Sequence, residues 1–404
     1  MDDFFDLRTK TKYNAAYPAV FTACAAAIVY IAAIFISNLA DGANTVLTIV
    51  FSLSFCAYSV YRYCKSAKKS IAAVCAYLCG DMMLNVACGA HFSLIMSVII
   101  TFAFCLIMQK TELLVGYISV LIVSAMISLI FILSYEQYTT ALKSLAGAIQ
   151  GRGAAFGVLE NVASLLFGDY FEALFYHKAY SVTTAVDGKI ITGAVDIFNV
   201  FDSPHKSSAE FLTGKFISTV FIPLGVFVSL FKRLKYEVVF AFFSALMLSV
   251  LFGDNRLFYL LLFLVSPLLY VGSMIVVYIG YIVCSFVDIR VGFSRMPDII
   301  TMFKNMHKPV YFLLIGAITA ALSYFVSRLI AERFDLLSTT ELPRDVKRLV
   351  TYLGGLDNIV KIGDGLVTVS NPNLIDILHL DCDIRENTVE LYPDDFDIIC
   401  KIPN

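Results

Sequence analysis

Long apolar runs separated by short polar turns dominate the first third of the chain. They cover Ala16–Asn38, Val46–Tyr61, Ser70–Ala87, Phe92–Met108 and Leu114–Leu133. A helix needs roughly 17–25 apolar residues to cross a bilayer, so each run is expected to be a span. The second and third are short and would need tilt or local thinning. The rhythm changes after Tyr138. Residues 139–157, TTALKSLAGAIQGRGAAFG, are rich in small side chains and carry Lys143 and Arg152, which predicts an interfacial helix joining two subdomains. An apolar run follows, broken by Glu160, Asp169 and Glu172; facing lipid these would be costly, so they should face protein or water.

Residues Asp187–Lys206 are polar. The next run, EFLTGKFISTVFIPLGVFVSLF (210–231), is apolar but interrupted by Gly214, Lys215, Pro223 and Gly225, and reads as re-entrant. Val238–Phe252 and Leu257–Phe286 flank a polar knot, Gly253-Asp254-Asn255-Arg256. Such a break in a membrane helix marks backbone that lines a cavity, and ionisable groups at that depth point to a binding or permeation site. Val310–Leu329 is the last span. From Ser338 the pattern becomes that of a soluble segment: an amphipathic helix, RDVKRLVTYLGG, ending at Gly354-Gly355, then a strand, a Gly-containing turn and a strand in NIVKIGDGLVTVSN. NLIDILHL reads as a second helix and TVELYPDDFDIICKI as a final strand. About 60 residues of this kind make a small α/β domain.

Composition agrees with the pattern. Of 404 residues, 59% are hydrophobic and 15% charged, against about 25% charged in a soluble protein, and mean hydropathy is +0.79. An integral membrane protein is expected. Trp is absent, so an interfacial aromatic belt must come from Tyr and Phe. No cleavage site follows a short apolar core at the N-terminus, and the first run is read as a retained span. Basic residues occupy the N-terminus, the turn at Arg62–Lys69 and Lys110, while the turns at Ala40–Asn44 and Gly80–His91 carry none. This alternation places the N-terminus in the cytoplasm. A net charge of −2 points to no nucleic-acid partner. The ten cysteines show no metal-ligand spacing and read as small hydrophobes, so neither metal nor other cofactor is expected.

Four segments carry a resemblance. LFGDNRLFYLLLFLVSPLLYV, SAEFLTGKFISTVFIPLGVFVSLF, DIRVGFS and VTYLGGLDNIVKIGDGLVTV occur in the order and spacing seen in the membrane component of the bacterial phosphoenolpyruvate-dependent sugar phosphotransferase system. The chain resembles an enzyme IIC domain of the glucose/N-acetylglucosamine superfamily fused to a IIB domain, over about residues 150–401, and only architecturally over 1–140. Gly253, Pro267, Gly214, Gly292 and Gly354-Gly355 match scaffold positions. The resemblance implies an all-α polytopic membrane protein of about ten spans with two re-entrant hairpins plus a small C-terminal α/β domain. It divides the chain into a five-span scaffold (1–138), a linker helix (139–157), a transport domain (158–337) and a cytoplasmic IIB-like domain (338–404). It also implies a homodimer in the inner membrane, in contact with lipid, moving a sugar or related polar solute by alternating access.

The positions that carry the family's chemistry differ. Gly365 stands where the IIB phosphocysteine belongs, and Thr368 and Ser370 replace two arginines. A glycine offers no nucleophile, so no catalytic residue is assigned and phosphotransfer is expected to be lost. The two sugar-holding glutamates correspond to Arg256 and Tyr259, with Asn255 before them. The histidine-bearing helix matches Gly168-Asp169-Tyr170-Phe171, and a further family histidine matches Arg290. These residues (Asn255, Arg256, Tyr259, Asp169, Tyr170, Phe171 and Arg290) form the candidate solute site. Either Asp254 and Arg256 form an ion pair that only holds the loop, or Arg256 binds an anionic or polyol ligand, which its fork suits. Tyr259 and Asn255 either meet sugar hydroxyls or cap loop backbone. Lys215 is expected to snorkel to the interface. His177, His205 and His307 are expected in turns, and His91 and His379 show no partners in the sequence. Asp196 and Asp202 take turn roles. Two other readings stay open: a non-transporting receptor or regulatory partner of intact phosphotransferase components, and a permease phosphorylated by a IIB on another chain.

Overall fold

The computed structural model describes residues 19, 22–23, 26–27, 29, 40–150, 152–178, 181–183, 188–200, 211–231, 236–287, 289, 299, 308–333, 349–350, 352–354, 358–363, 366–372, 375, 382–385 and 388–391. The chain divides into two compact units, Met1–Leu337 and Ser338–Asn404. In the first unit, five described helices are long and apolar enough to cross a membrane: Val46–Cys64, Ala67–Cys88, Leu113–Leu133, Pro267–Val287 and Pro309–Arg333.

Their faces are inverted relative to a soluble bundle. Helices α1 (Ala40–Cys64), α2 (Ala67–Cys88), α3 (Leu94–Lys110) and α4 (Leu113–Leu133) pack as neighbours. The inward face of α4 is Gly116, Val120, Ser124 and Ser128, a seam of small residues four apart, while Leu114, Ile122, Met126 and Leu133 point outward. Large apolar side chains outside and small or hydroxylated ones inside fit a lipid surround, where close backbone approach drives packing. Gly80 of α2 lies against Ser124 and Ser128, and the Ser128 hydroxyl donates to the Gly80 carbonyl at 2.8 Å. At one end of this bundle Lys69 Nζ donates to the carbonyls of Met108 and Thr111 (2.5 and 2.7 Å), capping the last turn of α3. The two basic turns therefore share an end.

The opposite end holds a partner that the sequence did not reveal. His91 Nδ1 lies 2.8 Å from Asp81 Oδ2 and its Nε2 lies 2.8 Å from Asn85 Nδ2, while Asp81 Oδ1 accepts the Phe92 amide at 2.9 Å. His91 is thus bound into the α2–α3 turn. Of the expected first span, the described positions Ala19, Thr22, Ala23, Ala26, Ala27 and Val29 are helical, and all but Val29 are buried.

Only Ser134 separates α4 from α5 (Tyr135–Gln150), so the helix expected over 139–157 begins earlier. It buries Leu142, Ala146, Ile149 and Gln150 on one face. A 3-10 turn, Ala154–Phe156, leads into α6 (Gly157–Phe167) and α7 (Asp169–His177). Strands β1 (Ser181–Thr183) and β2 (Ile190–Thr192) pair antiparallel, followed by α8 (Ala194–Val200), on which Asp196 is exposed.

The segment expected to be re-entrant stays helical: α9 (Phe211–Phe216), a π-helical turn (Ile217–Phe221) and α10 (Ile222–Leu230) follow without a break, and Phe216, Phe221 and Ile222 all keep right-handed helical angles. Its glycines serve close packing. Any Cβ on Gly214 would enter the Tyr281 ring, and one on Gly225 would meet Ala320 and Ser323. Two true breaks come next. Helix α11 (Tyr236–Phe252) ends at Gly253, whose φ of +75° favours glycine. Helix α12 (Arg256–Val265) ends at Ser266, which is extended and whose hydroxyl accepts the Leu269 amide at 3.3 Å; Pro267 then opens α13 (Pro267–Val287). Helix α14 (Pro309–Arg333) packs on α10 and α13. At about 15 Å, α12 is half a bilayer core long, and all of it except Phe263 is buried.

In the second unit, β3 (Ile359–Gly363), β4 (Leu366–Val369), β5 (Cys382–Arg385) and β6 (Thr388–Leu391) form an antiparallel sheet in the order β3-β4-β6-β5. Leu349, Leu353, Val367, Val369, Ile375, Val389 and Leu391 make its core. Helical residues 349–350 and 352 end at Gly354 (φ +87°), where the sequence placed the cap. Strand β5 went unforeseen. Most of the NLIDILHL helix and of the last predicted strand lies outside the described residues, as do His205, His307, His379 and Asp202.

Candidate functional site

Five ionisable side chains from four elements and one loop meet inside the first unit. Glu160 on α6 is fully buried and Lys215 on α9 nearly so. Lys215 Nζ donates to both Glu160 oxygens at 3.0 Å, and Glu160 Oε1 also accepts the hydroxyls of Ser164 and Tyr176, each at 2.9 Å. Lys215 therefore does not snorkel. On a helix closed in by α6 and α13, its stem has no lipid interface to reach, and a carboxylate waits beside it. Burying an ion pair is tolerable only when the remaining lone pairs are hydrogen-bonded, and here they are.

Asn161 connects this pair to the helix break. Its Oδ1 accepts from Lys215 Nζ (3.3 Å), Ser218 Oγ (3.2 Å) and Asn255 Nδ2 (2.9 Å), and its Nδ2 donates to the Tyr281 hydroxyl at 3.1 Å. Beyond Asn255, the Arg256 guanidinium grips Asp254 with both hands: Nε donates to Oδ1 at 3.0 Å and Nη2 to Oδ2 at 2.6 Å, while the Arg256 amide donates to Oδ1 at 3.1 Å. Such a fork is a strong, directional contact. Glu172 on α7 completes the group, its Oε2 3.9 Å from Arg256 Nε.

The π-turn explains the remaining contacts. A widened turn leaves its carbonyls poorly served by the helix ladder, and neighbouring side chains supply donors. Tyr259 donates to the Ser218 carbonyl at 2.8 Å and Ser249 to the Thr219 carbonyl at 2.5 Å. Tyr259 thus caps backbone, and Asn255 binds a side chain.

Of the residues the sequence singled out, the structure brings Asn255, Arg256 and Tyr259 together around this network. Phe171 is fully buried in an aromatic row, stacked on Phe175 at 5.5 Å and tilted against Phe167 at 6.2 Å. Asp169 and Tyr170 open α7, and no description extends to their side chains. Arg290, Gly292 and Gly365 lie outside the described residues. Glu160, Asn161, Lys215, Ser218 and Tyr281 were missed as a set. The available signal was charge balance: isolated Glu160 and Lys215 in apolar runs each require a partner.

In the second unit, Ser370 Oγ donates to Asn358 Oδ1 at 2.9 Å, and Asn358 Nδ2 donates to the carbonyls of Leu353 and Asn371. Cys382 sits on β5, two strands from β4, and packs against the core. Among the described residues, no group of three or more His, Cys, Asp or Glu side chains could hold a metal ion. No protein-family model matches the sequence, and no curated protein matches it either.

Proposed function

We propose that this chain is a membrane transport protein that binds and moves a sugar or a related polar solute, of the sugar phosphotransferase permease type but without phosphotransfer. The observation that carries the reading is the convergence of Glu160, Asn161, Lys215, Asn255, Asp254 and Arg256 where a helix break meets a π-turn. An array of amide, guanidinium, ammonium and carboxylate groups matches the alternating donors and acceptors of a polyhydroxylated ligand. Broken helices meeting such an array are where transporters hold solutes. The short, buried α12 between two breaks supports the second of the re-entrant hairpins that the resemblance implies, and the continuous helix at 211–230 leaves the first without support.

The same reading has a homodimer in the plasma membrane, with the shared basic end of the bundle and the Ser338–Asn404 unit in the cytoplasm. The hydroxyl of Ser370, tied to Asn358, and the position of Cys382 on β5, two strands from β4, support the loss of phosphotransfer chemistry. The test is uptake of labelled hexoses, amino sugars and disaccharides into liposomes holding the purified chain, without phosphoenolpyruvate. Saturable uptake of one class is expected; no uptake of any of them overturns the proposal.

A further inference from the structure

Among the described residues, the buried network is one positive charge short. Lys215 and Arg256 face three carboxylates, and each cation is already committed. Lys215 meets both oxygens of Glu160 at 3.0 Å, and Arg256 meets both oxygens of Asp254. Glu172 is the remainder. It is 9% exposed and accepts no hydrogen bond among the described residues, and its one ionic contact is the 3.9 Å approach of Arg256 Nε. That nitrogen's proton already points at Asp254. An ionised carboxylate so placed has lost most of its hydration and gained no donor, the situation in which a buried acid neutralises itself.

The described groups around Glu172 do not offer another solution. From α6 comes Glu160, saturated by Lys215, Ser164 and Tyr176; from the loop before α12 comes Asp254, and from α12 itself Arg256. On α7, Tyr176 is turned to Glu160 and His177 is exposed. Helix α5 contributes Gln150, whose amide donates to the Phe175 carbonyl at 2.5 Å, and Asp196 of α8 is exposed. A bound metal cation would need several oxygen ligands, and those of Glu160 and Asp254 are taken.

We propose that Glu172 carries a proton in this arrangement, and that the proton leaves when Arg256 turns from Asp254 towards Glu172. Protonation of one carboxyl is then linked to ligand binding at the network. The O–H bond of Glu172 breaks and its proton passes to water at the edge of the side chain that remains exposed. The freed carboxylate takes the guanidinium, and Asp254 becomes available to a ligand hydroxyl. The link to a solute rests on the transport reading above; the protonation itself does not.

Infrared spectroscopy of the full chain in lipid tests the protonation without any solute. A carbonyl-stretch band of a protonated carboxylic acid is expected at neutral pH. It should vanish at alkaline pH, be missing from Glu172→Gln and move in Glu172→Asp. Glutamate labelled at the side-chain carboxyl carbon provides a check that needs no variant, because the band must shift on labelling. A band that survives in Glu172→Gln, a band that ignores the label, or no band at all in the wild type overturns the proposal. Uptake that fails while the band behaves as expected counts against the transport reading only.

Discussion

The four-helix bundle α1–α4 and the region α6–α13 solve the same problem, polar atoms buried among apolar helices, in different ways. The bundle uses neutral hydroxyls. Ser52 Oγ donates to Ser97 Oγ at 2.7 Å, and Tyr77 and Ser97 share a hydrogen bond of 2.6 Å. Its carboxyl contact, Asp81 with His91, sits at an end where His91 is partly exposed. The second region buries Glu160, Glu172, Lys215, Asp254 and Arg256 together. A neutral hydroxyl costs far less to bury than an ion, and Ser59, Thr101 and Ser124 are buried with no hydrogen-bond partner for their hydroxyls among the described residues. Ionised groups are tolerated only when paired, as Glu160 is by Lys215 and Asp254 by Arg256. The second region therefore concentrates its buried charge at one spot, where removing one partner leaves another uncompensated.

The contrast breaks most visibly at Lys215. Lys215→Met strands Glu160 and is expected to cost about 3–5 kcal/mol, read as a fall in thermal unfolding temperature in detergent. Lys215→Met combined with Glu160→Gln should recover at least half of that loss, since no unpaired charge remains. If Ser97→Ala in the bundle costs as much as Lys215→Met, the distinction between the two regions fails.

Asp254→Asn should cost less, about 1.5–3 kcal/mol, because Glu172 already lies 3.9 Å from Arg256 and can take over the guanidinium. Adding Glu172→Gln to Asp254→Asn should then cost more than the sum of the two single changes.

Gly80→Ala probes the scaffold alone. A Cβ there meets the Ser124 side chain and backbone, and overpacking of this kind costs about 1–3 kcal/mol. The variant should lose stability while keeping whatever solute affinity the protein has; an equal loss of affinity would tie the bundle to the site. Smallest is Tyr259→Phe, which removes the donor on the Ser218 carbonyl and should cost about 0.5–1.5 kcal/mol. If Tyr259 contacts the solute instead of capping backbone, uptake will fall far more than stability does.

What the sequence made legible follows from the range of each signal. The apolar runs of α1–α4 and α14 and the knot at Gly253–Arg256 are contiguous in the chain, so hydropathy alone places them to within a few residues, except at the start of α1, which takes in the expected Ala40–Asn44 turn. The Glu160–Lys215 pair spans 55 residues, and Asn161–Asn255 spans 94. No local pattern reports contacts of that separation, and Lys215 read alone resembles any basic residue near a span end. Gly214, Pro223 and Gly225 suggested a chain reversal, yet the glycines answer to Tyr281 and Ser323 across helix contacts, and the Thr219 carbonyl, four residues before Pro223 and left without its N–H, is served by Ser249 instead. Strand β5 was hidden because Cys382–Arg385 is too short and mixed to show alternation.

The most direct test is uptake by the doubly neutralised protein. Glu160→Gln with Lys215→Met leaves no unpaired buried charge, so the variant should fold and enter liposomes as the wild type does. With the same panel of labelled hexoses, amino sugars and disaccharides, the wild type should show saturable uptake and the folded double variant none. Uptake that is unchanged in the double variant would contradict the assignment of this network as the solute site.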